Sequence, residues 1–301
     1  MKLHNESIHF GSKEWIGEGA FAQIYRAQWN DIPVVLKRGI TTESPQQYGY
    51  VSELHVMRSL RHPNIVTLFG YITVEHPCIL VLEYAEKGTL EFHERQDPYR
   101  IPLPTRYQWS LDLLRAVAYL HDGLEDKKII HRDIKPSNIF IFASGQAKLG
   151  DFGLARICEK HQSIIDSDPP IIGNLPHYTS NIGTLNYMAP EIMVRSSRSS
   201  VVYDESIDLF SVGVVLYELF DPIAYSILLN STFLMSRTEL RTHKYNLAHL
   251  AQFVDSPSAL RPMILKLLSP VPSTRPRSQE CYHWLTDIQS QARCGMCCAI
   301  S

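Results

Sequence analysis

The hydrophobic pattern of this chain changes character near Gly88. Before that residue, short apolar runs alternate with turn residues, as in the strands of a small sheet. After it, long stretches place apolar residues at helical spacing and are joined by loops rich in charged residues and glycine. Because no repeat and no low-complexity linker separates the two parts, we predict two lobes of one α+β unit with a hinge at residues 83–88. A cleft between such lobes is a common place for a ligand.

The apolar spacing also predicts individual elements. Residues 24–27, 34–37 and 79–82 are predicted strands, and residues 48–60 are the one helix predicted among them. Residues 206–220, like the stretch 107–121, carry the helical spacing of the second part. The prediction is therefore a small N-terminal antiparallel sheet with one helix, followed by a larger, mostly helical lobe.

Composition and charge exclude several classes of protein. The chain is 45% hydrophobic and 10% aromatic, which is typical of a folded globular protein and not of a disordered one. The formal net charge of −2 provides no basic field, so we predict no nucleic-acid partner.

The sequence predicts a cytoplasmic location. The first ten residues carry charged and polar side chains where a secretory signal needs a continuous apolar stretch. The longest apolar run, residues 212–229, is interrupted by Glu218 and Asp221, which predicts a buried helix followed by a loop and not a membrane span. Three of the six cysteines lie in the last eight residues, unlike the dispersed spacing of a disulfide framework.

A glycine-containing turn precedes the first predicted strand. Its two glycines stand one residue apart, and glycine lets backbone amides approach a phosphate closely and tolerates positive φ. Alanine at position 22 replaces the third glycine of a phosphate-binding loop, which predicts a slightly stiffer hairpin. The alternative is a turn that only joins two strands. The segment is Ile16-Gly17-Glu18-Gly19-Ala20-Phe21-Ala22-Gln23-Ile24.

A lysine follows an apolar strand at Val34-Val35-Leu36-Lys37. An ammonium in such a place needs an anionic partner, and Glu53 on the predicted helix can supply one. The alternative is a surface ion pair that contributes little to stability.

Three polar motifs follow one another in the second part. They are His131-Arg132-Asp133-Ile134-Lys135-Pro136-Ser137-Asn138, then Lys148-Leu149-Gly150-Asp151-Phe152-Gly153, and finally Met188-Ala189-Pro190-Glu191. Together with the glycine-containing turn and the strand lysine, these motifs resemble the eukaryotic protein kinases over residues 10–290. The resemblance implies a bilobal protein kinase fold, with residues 10–84 as the N-lobe and 85–290 as the C-lobe. Residues 1–9 are then an N-terminal extension and 291–301 a C-terminal tail.

The resemblance also implies a set of roles and the cofactors ATP and Mg²⁺. Residues 16–24 would cover the phosphates, and Lys37, held by Glu53, would contact two of them. Asp133 would accept the proton of the attacking hydroxyl of a protein substrate, and Lys135 would steady the transferring phosphoryl group. The implied magnesium ligands are Asn138 and Asp151.

Further positions follow from the same resemblance. Leu82 stands at the gatekeeper position, with a narrow pocket expected behind it. Backbone groups of Glu83 and Ala85 would bind adenine. Three implied features are structural: a Glu191–Arg275 pair, a buried Asp208 that braces the catalytic loop, and an apolar stack of Met57, His131 and Phe152.

The residue type after the catalytic aspartate bears on the substrate. Lys135 in Asp133-Ile134-Lys135-Pro136 is typical of serine/threonine kinases, and Gly183-Thr184 indicates the same. Two stretches, Ala27-Gln28-Trp29 and residues 60–66, resemble the tyrosine-kinase-like group of serine/threonine kinases.

The loop before Gly183 is a candidate for regulation. Arg132 is the cation that binds an activation-loop phosphate in many relatives, so we predict activating phosphorylation at Ser180 or Thr179. The alternative is a loop that is ordered without phosphate.

The last residues, Cys298-Ala299-Ile300-Ser301, fit the prenylation signal, with a farnesyl group expected on Cys298. One lipid gives marginal anchoring, so palmitoylation of Cys297 or Cys294 would have to supply a second signal and place the chain on the cytoplasmic face of a membrane. The alternatives are an inert tail and half of a zinc site at Cys294 and Cys297, for which no second ligand pair lies nearby.

Three functions are therefore compared. They are an active serine/threonine kinase in intracellular signalling, a catalytically dead kinase-fold scaffold, and a membrane-tethered adaptor. The intact set of Lys37, Asp133, Asn138 and Asp151 favours the first.

Overall fold

The computed structural model describes most of the chain. The described residues are 2–3, 13–18, 22–39, 46–73, 78–160, 164–166, 186–193, 201–221 and 259–298. The strands are β1 (Glu14–Glu18), β2 (Ala22–Trp29), β3 (Ile32–Gly39), β4 (Leu68–Ile72), β5 (Ile79–Glu83), β6 (Lys127–Ile130), β7 (Ile139–Ile141), β8 (Ala147–Leu149), β9 (Arg156–Glu159), β10 (Ile164–Asp166) and β11 (Val201–Tyr203). The helices are α1 (Gln46–Met57), α2 (Leu90–Gln96), α3 (Leu103–Asp122), α4 (Pro190–Met193), α5 (Ser206–Phe220), α6 (Arg261–Leu267) and α7 (Ser278–Cys298).

The N-terminal part is a five-stranded antiparallel sheet in the order β1-β2-β3-β5-β4. Strand alternation gives it two apolar faces. One face lines the interior of the molecule and the other carries a separate cluster of buried side chains that includes Val34, Leu36 and Val81. The three strands predicted from the sequence are present. Two more, β1 and β4, were not predicted: β1 is largely exposed, and β4 contains a glycine and an irregular register.

Helix α1 ends at Met57, three residues before the predicted end. The apolar spacing continues to Leu60, but Ser59 and Leu60 donate their amides to carbonyls three residues back, at Val56 and Met57. This tighter turn ends the helix while keeping Leu60 in the core.

The second part is mostly helical around α3 and α5. Helix α5 occupies the residues predicted for it, and nearly all of its side chains are buried. Two small two-stranded sheets, β6–β9 and β7–β8, lie beside α3, and two of the polar motifs follow β6 and β8. The predicted α+β architecture with two unlike parts is confirmed.

The last helix, α7, packs on α3 and continues to Cys298. Its backbone therefore includes most of the residues predicted to form a tail. Among the described residues, no helix combines the length and apolar character that a bilayer crossing requires.

Candidate active site

A cleft of about 900 Å³ opens between the N-terminal sheet and the helical part. Strands β1, β2 and β3 form its roof, the segment after β5 forms its back, and the polar motifs around β7 and β8 form its floor. Of the residues predicted from the sequence, those that line it are Ile16, Gly17, Glu18, Ala22, Ile24, Lys37, Glu53, Leu82, Glu83, Ala85, Asp133, Lys135, Asn138 and Asp151.

Lys37 lies between two carboxylates at the centre of this cleft. Its Nζ is 2.8 Å from Oε1 of Glu53 on α1 and 2.8 Å from Oδ1 of Asp151 after β8. The lysine is 8% exposed and the glutamate 1% exposed, so this is not the surface ion pair considered as the alternative. Three elements that are far apart in the sequence therefore meet at one ammonium group.

The charges of this triad are set by burial and by each other. Burial alone would lower the pKa of Lys37, but the facing carboxylates of Asp151 and Glu53 outweigh it and raise that pKa. Burial alone would raise the pKa of Asp151, but Lys37 outweighs it and lowers the pKa to about 2. For Glu53 burial is the larger effect, and its pKa is raised. Lys37 and Asp151 are therefore ionised at neutral pH.

Asp133 lies on the floor within a second hydrogen-bonded group. Lys135 Nζ is 2.8 Å from its Oδ2, and the side-chain amide of Asn138 donates to the same oxygen at 2.9 Å. The amide of Asn138 also donates to the Asp133 carbonyl at 2.8 Å. Burial raises the pKa of Asp133, and the ammonium of Lys135 offsets part of that effect.

The loop that carries Asp133 is held through its backbone. The buried carboxylate of Asp208 on α5 accepts the amides of His131 and Arg132, each at 2.8 Å, and also the Nε2 proton of His121 at 2.9 Å. Arg132 has φ of 68°, and Asp151 has φ of 62°. Non-glycine residues in this region store strain, so both positions depend on surrounding contacts. No sequence pattern predicts either conformation.

The apolar stack implied by the resemblance is present in part. The rings of His131 and Phe152 pack with centroids 4.8 Å apart, and His131 Nε2 donates to the Gly150 carbonyl at 3.1 Å. Met57 belongs to the same buried core as Phe152 and lines the cleft.

The described part of the glycine-containing segment forms the hairpin of β1 and β2. Gly17 and Ala22 line the cleft, and Ala22 is buried. Gly17 does not have a positive φ, and a Cβ added there would meet no atom within 4 Å. The space beside the Gly17 Cα is part of the open cleft. Neither backbone strain nor a close contact therefore requires glycine at this position. Gly19, Ala20 and Phe21 lie outside the described residues.

The segment after β5 connects the two parts. Leu82 is buried at the back of the cleft, where the gatekeeper was predicted. The carboxylate of Glu83 binds two groups. Its Oε1 is 2.6 Å from Lys148 Nζ, and its Oε2 accepts the Thr67 amide at 3.2 Å. The Glu83 side chain therefore joins the hinge to β8, a contact that the sequence analysis missed.

The ion pair implied by the resemblance is present. Arg275 and Glu191 form a two-pronged ion pair at 2.6 and 2.8 Å, with the guanidinium fully buried. Arg275 also donates to the Ser206 carbonyl, which ties the pair to the start of α5.

The oxygen donors on the floor fit a magnesium ion. Asp151 remains 40% exposed at the side chain and its lowered pKa keeps it ionised. Because the Asn138 amide nitrogen donates to Asp133, its carbonyl oxygen is directed away from that carboxylate. An ionised carboxylate and an amide oxygen in an open cleft are the donors that Mg²⁺ prefers.

The structure bears on the predicted phosphorylation and lipidation sites only in part. Thr179 and Ser180 lie outside the described residues. The backbone of Cys294, Cys297 and Cys298 belongs to α7, but their side chains are not described. Arg132, predicted to bind a loop phosphate, donates to the Tyr203 hydroxyl at 2.6 Å.

The chain matches the protein kinase domain family over residues 10–285. Serine/threonine-protein kinase VIK of Arabidopsis thaliana is 32% identical over 225 residues, which cover 73% of this chain and 48% of that protein. L-type lectin-domain containing receptor kinase VIII.1 of the same plant is 35% identical over 70% of this chain and 27% of its own length.

Dual specificity protein kinase shkC of Dictyostelium discoideum is 30% identical over 72% of this chain and 40% of that protein. The chain thus spans about half or less of the length of these three relatives. The family match covers most of the chain and includes every cleft residue described above. This chain belongs to the protein kinase family.

Proposed function

We propose that this chain is a protein serine/threonine kinase that transfers the γ-phosphoryl group of Mg-ATP to serine or threonine hydroxyls of protein substrates. The observation that carries the proposal is the convergence of Lys37, Glu53 and Asp151 opposite Asp133 in one cleft. Two of the relatives have serine/threonine kinase or dual specificity kinase in their names, and both assignments include transfer to these hydroxyls.

The residues divide the work of phosphoryl transfer between binding and proton transfer. Lys37, ionised and fixed by Glu53, would bind phosphate oxygens of ATP. Asp151 and Asn138 would hold Mg²⁺, which supplies neutralisation of the phosphate charge when bound. Glu83 and Ala85 line the cleft, and their backbone groups would bind adenine.

In this proposal Asp133 acts on the substrate hydroxyl. Its carboxylate would accept the hydroxyl proton, since its pKa is raised towards the working range of a base. Lys135, 2.8 Å away, would orient the transferring group. Catalysis in this arrangement is mainly positioning and charge stabilisation.

Transfer of labelled phosphate from γ-labelled ATP to a generic basic protein tests the proposal. The Asp133→Asn variant is expected to lose transfer by about 10²-fold or more while keeping its affinity for Mg-ATP. Equal transfer by both proteins would contradict the kinase assignment. Acid hydrolysis of the product should give phosphoserine and phosphothreonine, whereas phosphotyrosine alone would contradict the hydroxyl class.

The catalytically dead scaffold is the alternative function. It would bind Mg-ATP and show no transfer above that of Asp133→Asn. The complete set of binding and acid–base side chains in one cleft favours the enzyme.

We further propose that a phosphate on Ser180 or Thr179 activates the enzyme through Arg132. The arginine lies next to Asp133 and already binds a hydroxyl, that of Tyr203. The double variant Ser180→Ala, Thr179→Ala should transfer phosphate more slowly than the unsubstituted protein. An unchanged rate would favour the loop that is ordered without phosphate.

Lipidation of Cys298, with palmitoylation of Cys297 or Cys294, is a separate proposal that rests on the sequence pattern. Expression of the full chain and of Cys298→Ser in cells with a labelled farnesyl precursor tests it. We expect the unsubstituted chain to carry the label and to associate partly with membranes, and Cys298→Ser to do neither. Equal partition of both proteins would contradict the membrane role.

A further inference from the structure

The second apolar face of the N-terminal sheet is covered by a short segment from the start of the chain. Leu3 is 8% exposed and belongs to a buried cluster formed otherwise by strand residues. The other members of that cluster are Ala27, Val34, Leu36, Ile72, Ile79 and Val81, with Tyr25, Trp29 and Phe69 packed around them.

The backbone of the same segment pairs with the edge of the sheet. The Leu3 amide donates to the Tyr71 carbonyl at 2.9 Å, and Lys2 forms a parallel bridge with Tyr71. Among the described residues β4 is the last strand in the sheet order, so its outer side can offer backbone groups to a further segment. Backbone pairing at an edge with an apolar side chain in a pocket is the geometry by which sheets bind extended peptides.

Strand β3 connects this covered face to the cleft. Val34 and Leu36 point into the outer cluster, whereas the alternate residues Val35 and Lys37 line the cleft. Leu36, which shares the cluster with Leu3, is therefore adjacent in sequence to the lysine that binds Glu53 and Asp151. Loss of packing on one face of β3 would loosen the strand that positions Lys37 on the other.

We propose that the β4 edge and the outer cluster form a docking site for an extended peptide segment with a leucine-like side chain, filled here by Lys2–Leu3 and coupled to nucleotide binding through β3. The class of ligand follows from the contacts. Backbone hydrogen bonds require an extended segment, and the aliphatic cluster requires an apolar side chain at the position of Leu3. The coupling to nucleotide rests on the proposed function, but the docking site does not.

Three full-length variants test the site. Leu3→Asp places a charge in the cluster, Leu3→Met keeps an apolar side chain of similar size, and Lys2→Ala changes the neighbouring exposed side chain. Leu3→Asp should melt about 2–8 °C lower and bind Mg-ATP about two- to tenfold more weakly, as measured by calorimetry. Leu3→Met and Lys2→Ala should match the unsubstituted protein.

A synthetic peptide of residues 1–9 provides the second arm. It should bind Leu3→Asp more tightly than the unsubstituted protein, whose site is filled, and the same peptide with aspartate in place of leucine should not bind. Absence of peptide binding to Leu3→Asp at millimolar concentration, or a melting temperature of that variant equal to that of Lys2→Ala, would overturn the docking site. Lower stability with unchanged Mg-ATP affinity would overturn the coupling.

None of these measurements requires phosphoryl transfer. If the chain binds Mg-ATP and the peptide behaves as expected while transfer is absent, the proposed activity fails and the docking site stands. If transfer is present and the peptide does not bind, the docking site fails and the proposed activity stands.

Discussion

At the scale of single residues, Glu94 on α2 departs from the usual exposed placement of a charged side chain. It is 2% exposed, and within the described part of the chain neither carboxylate oxygen has a hydrogen-bond partner. Burial raises its pKa well above the usual value, with Glu218 and Glu91 adding to the effect and Arg106 opposing it. A buried, unpartnered carboxylate destabilises the folded state when it is charged.

Glu94→Gln should therefore stabilise the protein, and more so at higher pH. The folded pKa lies above the unfolded value of about 4.3, so the folded state holds the extra proton and stability falls as pH rises between the two values. Glutamine does not titrate, so the variant does not lose this stability as the pH rises. Urea unfolding should show a gain of about 1–3 kcal/mol at pH 8 and a smaller gain at pH 5.

Glu91→Gln, on the same helix, is the matched control. Glu91 forms an exposed pair with Arg95, so its replacement should change the free energy of unfolding by less than about 1 kcal/mol. A Glu94→Gln gain that is equal at both pH values would show that Glu94 does not titrate in this range.

The residues of the candidate site could be predicted from the sequence, whereas strained backbone and a buried charge could not. Lys37, Asp133, Asn138 and Asp151 stand in ordered motifs whose residue types carry their chemistry, and the structure brings them to one cleft. Glu94 stands in a short polar stretch that looks solvated, because only the packing of α2 on distant elements buries it. The positive φ values of Arg132 and Asp151 likewise depend on contacts that a pattern does not record.

At the scale of elements, α5 shows how one small residue permits close packing. Its bounds could be predicted because apolar residues recur at helical spacing over this stretch, and the structure keeps the same residues. The reason for Gly213 could not be predicted. A Cβ there would lie 2.8 Å from the Leu267 Cβ and 3.1 Å from a methyl carbon of Leu268, so the glycine allows α6 to contact α5 directly.

Gly213→Ala should destabilise the protein by about 1–3 kcal/mol, because the added carbon meets the Cβ of a buried neighbour that has no room to move. Gly17→Ala is the control within the same chain, since a Cβ at that position meets nothing within 4 Å. Denaturant unfolding of both variants measures the difference. Equal stabilities would mean that α6 shifts to accommodate the extra carbon.

At the scale of the whole molecule, the two halves are joined by more than the hinge. Leu149 of β8 exchanges backbone hydrogen bonds with Asn64 and Val66, which precede β4. Ile141 of β7 exchanges backbone hydrogen bonds with Lys87 and Gly88, which fixes the end of the hinge on the second half. The α+β arrangement could be predicted from the change of pattern, but these pairings join residues far apart in the sequence, so local periodicity carried no signal for them.

Because both halves line the cleft, nucleotide binding should stabilise the entire fold. At 100 times its dissociation constant, Mg-ATP should add about 2.7 kcal/mol and raise the melting temperature by several degrees. Asp151→Asn should lose the part of this rise that depends on Mg²⁺, as judged by melts with and without a chelator. A rise in that variant equal to that of the unsubstituted protein would exclude Asp151 as a metal ligand.

The hydrogen bonds between Asp208 and the loop before Asp133 determine which substitutions in that loop the fold tolerates. Asp208 contacts the main-chain amides of His131 and Arg132, which every residue except proline possesses. These two hydrogen bonds therefore do not depend on which side chains stand at positions 131 and 132. Substitutions at these two positions are expected to act on side-chain contacts, such as that between His131 and Phe152, and not on this support of the loop.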